Sequence, residues 1–235
     1  GSRQMVLRAV GPTLGSFGVS GALADPKLTL FKGSATISTN DNWSAADGAA
    51  MAAVGAFALN AGSRDAALVS TLAPDAYTAP VTATDNGAGV ALVEVYDAGS
   101  GTAVKLANAS TQAYVGTGEN VLIPGFVVGG EGALRLLIRA VGPALGAFGV
   151  PGTLADPTIT LYRGSVALGT NDNWSDASNA ADIVSTSAAV GAFALGSGSR
   201  DAVILKTLEP GAYTVVVSGV GNTSGKVLVE LYAVP

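Results

Sequence analysis

Short runs of Val, Leu, Ile, Thr and Tyr alternate with clusters of Gly, Pro, Asn and Asp along the chain. That is the pattern of short strands separated by turns. In the C-terminal half it predicts strands near residues 120–128, 133–140, 157–163, 165–169, 201–208, 212–219 and 226–233. Pro210-Gly211 reads as a turn that launches the strand at 212–219, and 221–225 as the loop of a hairpin. The N-terminal half repeats the pattern from about residue 5 to 96. One stretch in each half breaks it: 45–59 and 176–195 are Ala-rich and read as one short helix each, with Ser44 or Ser175 as the cap.

The halves are copies of one another. Arg8-Ala9-Val10-Gly11-Pro12 returns as Arg139-Ala140-Val141-Gly142-Pro143, and Leu23-Ala24-Asp25-Pro26 as Leu154-Ala155-Asp156-Pro157. Asn40-Asp41-Asn42-Trp43-Ser44 returns as Asn171-Asp172-Asn173-Trp174-Ser175, and Leu92-Val93-Glu94-Val95-Tyr96 as Leu228-Val229-Glu230-Leu231-Tyr232. The period far exceeds that of a solenoid, and a unit of that length can bury its own core. The fold class expected is therefore mainly β: two tandem homologous, jelly-roll-like antiparallel β-sandwich domains, each with one short helix. The boundaries are 1–108 and 109–235, with a Gly-, Ser- and Thr-rich linker at 97–109. The second copy carries an extra block, residues 113–128, ahead of its Arg-Ala-Val-Gly-Pro, where the first has only Gly1 to Met5. The first domain is thus expected to lack one or two strands that its twin has.

Composition narrows the chemistry. The 235 residues contain no Cys and no His, which removes thiolate sites, the usual zinc sites, disulfides and a Ser-His-Asp triad. The net charge is -5 and the 12 basic residues are scattered, so nucleic acid is not an expected partner. No stretch reaches the roughly 18 apolar residues of a membrane span, so membrane insertion is not expected either. Gly1-Ser2-Arg3-Gln4 is not the start of a signal peptide, which reads as a cytosolic protein or as a mature or trimmed form. Charged residues make up 12% of the chain, about half the usual share, so its surface is poorly charged.

Two charges lie inside apolar strands in both copies: Arg8 and Glu94, with their twins Arg139 and Glu230. At period 2, Arg8 shares a face with Val6 and Val10, and Glu94 with Leu92 and Tyr96. Either both faces are solvated, or each Arg pairs with its Glu across neighbouring strands and helps set their register. The Asn-Asp-Asn-Trp element offers oxygen ligands to a hard cation. Asp25, Asn40, Asp41 and Asn42, with Asp47, are candidate calcium ligands, as are Asp156, Asn171, Asp172 and Asn173, with Asp176. The competing reading is an Asx-turn leading into the helix, with Trp43 or Trp174 as a lid on the core.

Catalytic constellations are weak. Each domain has few acids and most fall in turns or at strand ends, and Asp65 and Asp201, each following an Arg, read as a local ion pair or turn. The Gly-rich run at 11–18 lacks the Lys and long helix of a phosphate loop. No cofactor is expected beyond calcium. Tyr77, Tyr96, Tyr114, Tyr213 and Tyr232, with the two Trp, are the candidates for stacking on a surface polysaccharide.

The runs Val115-Gly116-Thr117-Gly118-Glu119-Asn120-Val121-Leu122-Ile123-Pro124-Gly125-Phe126, Leu137-Ile138-Arg139-Ala140-Val141-Gly142-Pro143 and Pro210-Gly211-Ala212-Tyr213-Thr214 resemble a repeat of secreted and cell-surface proteins of environmental bacteria. So do Leu154-Ala155-Asp156-Pro157 and Asn171-Asp172-Asn173-Trp174. The resemblance covers nearly the whole chain. The half from Asp156 to Tyr232 also resembles bacterial pre-peptidase C-terminal β-sandwich domains. That likeness implies a jelly-roll-like sandwich in an extracellular protein, in some members with calcium.

The function expected is that of a non-enzymatic, extracellular or cell-surface structural protein. It would be a homo-oligomeric subunit of a head-to-tail filament or surface assembly joined by strand addition. The donor expected is the block at 103–128, or residues ahead of Gly1. The alternative is a carbohydrate- or surface-binding accessory module of a larger secreted protein.

Overall fold

The computed structural model describes residues 1–99, 106–118 and 120–235. The chain divides into two compact units, Gly1–Leu106 and Ala107–Pro235. Asn108 pairs with Tyr232 and so belongs to the second unit. Of the linker read at 97–109, residues 100–105 lie outside the described residues.

The first unit contains β1 (Arg3–Val10), β2 (Pro26–Lys32), β3 (Ala35–Asn40), α1 (Gly48–Ala53), β4 (Ala66–Leu72), β5 (Tyr77–Thr78), β6 (Val81–Ala83) and β7 (Leu92–Asp97). Its sheets have the orders β4-β1-β7 and β3-β2-β5, with β6 also on β2. The second unit contains β8 (Asn108–Val115), β9 (Gly125–Val128), β10 (Leu134–Val141), β11 (Pro157–Arg163), β12 (Val166–Asn171), α2 (Ala180–Ala189), β13 (Ala202–Leu208), β14 (Gly211–Gly219) and β15 (Gly225–Ala233). Its sheets have the orders β13-β10-β15-β8 and β12-β11-β14-β9. Every ladder between these strands is antiparallel. Both units are mainly β, as the alternation of apolar runs and turn residues predicts.

Each unit has three layers. In the first, Met5, Leu7 and Ala9 of β1 pack against Leu28 and Leu30 of β2, forming the core between the sheets. Val6 and Val10 point the other way, against Met51, Leu14 and Leu59 on the helical side. β1 is therefore buried on both faces from Met5 to Val10, which is why its apolar run is continuous. The second unit repeats this, with Ile138 and Ala140 between the sheets and Leu137 beside Ile183 and Trp174.

The local predictions hold to different degrees. The Ala-rich stretches form short helices, each led by a 3-10 turn (Ala45–Asp47 and Trp174–Asp176), and Ser44 Oγ accepts the Ala46 N–H at 3.2 Å. Ser175 does not cap its helix; it lies within the 3-10 turn, whose cap is Asn173. The strand at 120–128 shortens to Gly125–Val128, with an isolated bridge from Leu122 to Val217. Residues 221–225 are not a hairpin loop. β14 pairs with β11 and β9, β15 with β10 and β8, so this connection passes from one sheet to the other. Turn residues mark that the chain reverses, but not whether the next strand pairs locally or crosses the core.

The Gly-Pro motif has a steric cause. A Cβ on Gly11 would sit 2.1 Å from the Leu23 carbonyl oxygen, and one on Gly142 would sit 2.1 Å from that of Leu154. Only glycine admits so close a backbone approach. A 3-10 helix follows each: Pro12–Phe17 and Pro143–Phe148.

Candidate functional site

Arg8 stands opposite Glu94 in the ladder between β1 and β7, and Arg139 opposite Glu230 between β10 and β15. Arg8 is fully buried, and its Nε donates to Glu94 Oε2 at 2.8 Å. Its Nη1 donates to the Phe57 carbonyl at 2.6 Å, and the guanidinium lies 4.3 Å from the centre of the Phe57 ring. In the second unit Arg139 Nε lies 2.9 Å from Glu230 Oε2, Nη1 donates to the Phe193 carbonyl at 2.7 Å, and the Phe193 ring is 4.3 Å away. The face is therefore not solvated; the 3-10 and helical layer covers it. A buried ion pair of this kind disfavours slipped registers, because a one-residue slip would strand both charges.

Each pair extends to a tyrosine. Tyr96 donates to Glu94 Oε1 at 2.5 Å and Tyr232 to Glu230 Oε1 at 2.7 Å. Burial, then the bond to the carboxylate and its charge, push both hydroxyls up to about 12. The folded state thus holds these protons more tightly than the unfolded chain, whose tyrosines titrate near 10. The stabilisation is fully present below pH ~10 and is lost as pH rises through ~12. We expect the denaturation midpoint to fall across that window in step with phenolate absorbance. Tyr232→Phe should make the fall shallower; an unchanged slope would refute the assignment.

Asp65 is not paired with its neighbour Arg64. Arg64 reaches Asp25 at 3.1 Å, and Arg200 reaches Asp156 at 2.8 Å. Asp65 is instead a fully buried hub. Its Oδ1 accepts the N–H groups of Gly11 and Thr13 at 2.7 and 3.3 Å, at the head of the helix Pro12–Phe17. Its Oδ2 accepts the hydroxyls of Thr13 and Ser63, both at 2.5 Å. Asp201 repeats the backbone contacts to Gly142 and Ala144, at 2.8 and 3.3 Å. Ala144 stands in place of Thr13, and Asp201 Oδ2 accepts no hydroxyl there. The only hint in the sequence is a buried-type strand start preceded by Asp in both copies.

The oxygens proposed for calcium are largely committed elsewhere. Asn40 Oδ1 accepts the Ala67 N–H at 3.0 Å while its amide donates to the Asn42 carbonyl at 2.9 Å. Asn171 does the same with Val203 and Asn173, at 2.8 and 3.0 Å. Asn42 donates to Asp41 Oδ1 at 3.2 Å. Asp172 and Asn173 flank the 3-10 turn that Trp174 opens, and Asp25 and Asp156 face the arginines named above. Among the described residues no group of three or more His, Cys, Asp or Glu gathers as a metal site would require. Asn40 and Asn171 thereby tie the loop to the start of β4 or β13.

The aromatic candidates are mostly consumed within the units. Tyr213 and Tyr232 are buried, as is Trp174. Tyr77 donates to the Ala73 carbonyl at 3.0 Å, and Trp43 to Ser63 at 3.1 Å. Tyr114 on β8 is exposed.

What distinguishes the two units is one side of the sandwich. In the second, β8 runs along β15 from Gly225↔Val115 to Tyr232↔Asn108, and β9 pairs with β14 from Gly211↔Val128 to Thr214↔Gly125. Consecutive in the chain, they form a clip with one strand on each sheet. Val115, Val128, Val227 and Val229 are buried in that core, and Phe126 stacks on Tyr213 at 5.4 Å. Sequence reading missed β8 as a strand, because Asn108–Val115 alternates polar and small residues and presents a weak apolar face. Of the clip, Glu119 lies outside the described residues, as do residues 103–105 of the donor block.

In the first unit, among the described residues, β7 pairs with β1 alone, and β5 and β6 with β2 alone. Pro80, at the position of Val216, splits what is one strand in the twin, since proline cannot donate to the ladder. Val93 is 45% exposed and Val95 46%, whereas Val229, the twin of Val93, is 0% exposed. This open side is the candidate functional surface.

No protein-family model and no curated protein matches the chain. Among solved structures, the chain is similar to the pre-peptidase C-terminal domain of a collagenase from Bacillus anthracis. The two share 13% identity with a TM-score of 0.32, over 53% of this chain and 89% of that one.

Proposed function

We propose that this chain is a non-enzymatic structural subunit of an extracellular or cell-surface assembly, and that it joins its neighbours by strand pairing at the open side of the first unit. The observation that carries this reading is the contrast between Val93 and Val229. One sequence position, in two copies of one fold, is buried in the core of a sheet that β8 extends in one unit and is exposed in the other. Exposed strand edges with apolar side chains are templates for pairing with another chain. Covering Val93 and Val95 would contribute about 1–2 kcal/mol each. The block at 103–128, expected from sequence as the donor, serves instead as the clip of its own second unit over its described residues. The weak surface charge, 12% of residues, offers little repulsion between copies. Electron microscopy of the native chain tests the proposal. Regular fibres or sheets are expected. Dispersed particles at every concentration would overturn it and favour a monomeric carbohydrate-binding module.

A further inference from the structure

A left-handed residue marks the same turn in both units. Asn86 in the first and Asn222 in the second hold the same position of the repeat, with φ of 57° and 60°. Asparagine is one of the few residues that tolerate that backbone. Both are exposed. The turns are also pinned alike: Thr84 N–H donates to the Asp25 carbonyl at 2.9 Å, and Val220 N–H to that of Asp156 at 2.8 Å.

Three differences give the first turn a chemistry that the second lacks. Gly87 follows Asn86, whereas Thr223 follows Asn222, and Asn86-Gly87 is the one Asn-Gly pair in the chain. Glycine leaves its backbone nitrogen open to attack on a neighbouring side chain, while a β-branched threonine crowds it. Asn222 Oδ1 accepts the Gly118 N–H at 2.9 Å, but the Asn86 side chain meets no partner among the described residues. Finally, Gly87 N–H donates to Asp85 Oδ1 at 2.9 Å, where the second unit has Gly221 in place of Asp85.

We infer that Asn86-Gly87 is a site of self-modification, at which the Gly87 nitrogen displaces ammonia from the Asn86 side chain with Asp85 as the base. The Gly87 N–H gives its proton to the Asp85 carboxylate, and the nitrogen forms a bond to Asn86 Cγ. The carboxamide C–N bond then breaks, and its nitrogen takes up a proton and leaves as ammonia. The five-membered succinimide that remains is opened by one water. Opening at one carbonyl gives aspartate; opening at the other gives isoaspartate, with the main chain routed through the former side chain. Nothing is oxidised or reduced. Ammonia is lost and water gained, so the chain becomes about 1 Da heavier and gains one negative charge beside Asp85. Val90 N–H donates to the Gly21 carbonyl at 2.9 Å, so both ends of the turn are held on residues 21–25 and the added main-chain atom is confined between them.

The test is incubation of the full chain in neutral buffer, with peptide mapping by mass spectrometry and measurement of released ammonia. Asn86 should gain about 1 Da, and isoaspartyl methyltransferase should label the product. Asn222, read in the same digest, should react about 10-fold or more slowly, a comparison that needs no variant. Gly87→Thr copies the second unit. Its Cβ would also sit 2.7 Å from Asp85 Oδ1, so it crowds the nitrogen and displaces the base together. It should bring Asn86 down to the rate of Asn222. Asp85→Asn keeps an acceptor oxygen but removes the base, and should slow the reaction about 10-fold or more. An Asn86 no faster than Asn222, or a rate that Gly87→Thr leaves unchanged, would overturn the site. A rate that holds or rises in Asp85→Asn would overturn Asp85 as the base and make its bond to Gly87 a restraint.

Discussion

Asp65→Ala is expected to cost the first unit about 3–5 kcal/mol, a large share of the stability of a domain this size. The substitution strands four donors at once: the buried N–H groups of Gly11 and Thr13, the buried hydroxyl of Thr13 and the half-buried hydroxyl of Ser63. Further groups depend on the same place. Thr13 Oγ1 also accepts the Asn60 N–H at 2.9 Å, and the Asp65 carbonyl accepts the Trp43 N–H at 2.7 Å. The loop at 11–13 and the turn at 63–65 thus meet on one carboxylate, and the buried donors lose their partner without gaining water. Two comparisons make the prediction specific. Asp201→Ala should cost less, because Ala144 brings no hydroxyl to that site. Arg64→Ala, which removes a mostly exposed arginine from its single contact with the buried Asp25, should cost less than Asp65→Ala. The chain has one Trp in each unit, Trp43 and Trp174, so Trp174→Phe leaves a fluorescence reporter for the first unit in urea. Equal losses for Asp65→Ala and Arg64→Ala would refute the hub.

The second large effect is the Arg139–Glu230 pair. Arg139→Met is expected to destabilise the second unit by about 3–5 kcal/mol, since it leaves a carboxylate that is 4% exposed without its cation. Tyr232 would remain its donor, which is not enough to offset the desolvation of a charge. Arg139→Met combined with Glu230→Leu should recover most of that loss, ending within about 1–2 kcal/mol of the parent chain. The packing explains why. The Arg139 stem and guanidinium fill a slot beneath the Phe193 ring that a methionine can also fill. Urea midpoints of the two singles and the double provide the measurement. If the double variant lost the sum of the single losses, the charges would be independent and the pairing account wrong. The ion pair then contributes specificity of register more than net stability.

The two regions differ in how visible they are before folding. Arg8 and Glu94 stand out because a charge in an apolar strand is rare, and their recurrence as Arg139 and Glu230 narrows the options to a pair or a wet face. Asp65 does not stand out. It follows an Arg, and nearest-neighbour logic pairs the two, while the fold sends Arg64 to Asp25 and turns Asp65 inward. The Asn-Asp-Asn loop misleads in the opposite direction. Its oxygens look available, yet Asn40 and Asn171 have closed onto the backbone of the following strand.

Sequence by itself determined the duplication, the mainly β class, the approximate strands and the short helices, because each follows from local properties: spacing of apolar side chains, turn residues and the self-likeness of the two halves. Only the tertiary structure decided that Asn108–Val115 is a strand, that 221–225 crosses between sheets, and that Val93 is exposed while Val229 is buried. The physical reason is common to all three. A strand is completed by a partner distant in the chain, and whether an apolar residue is core or edge depends on whether that partner arrives.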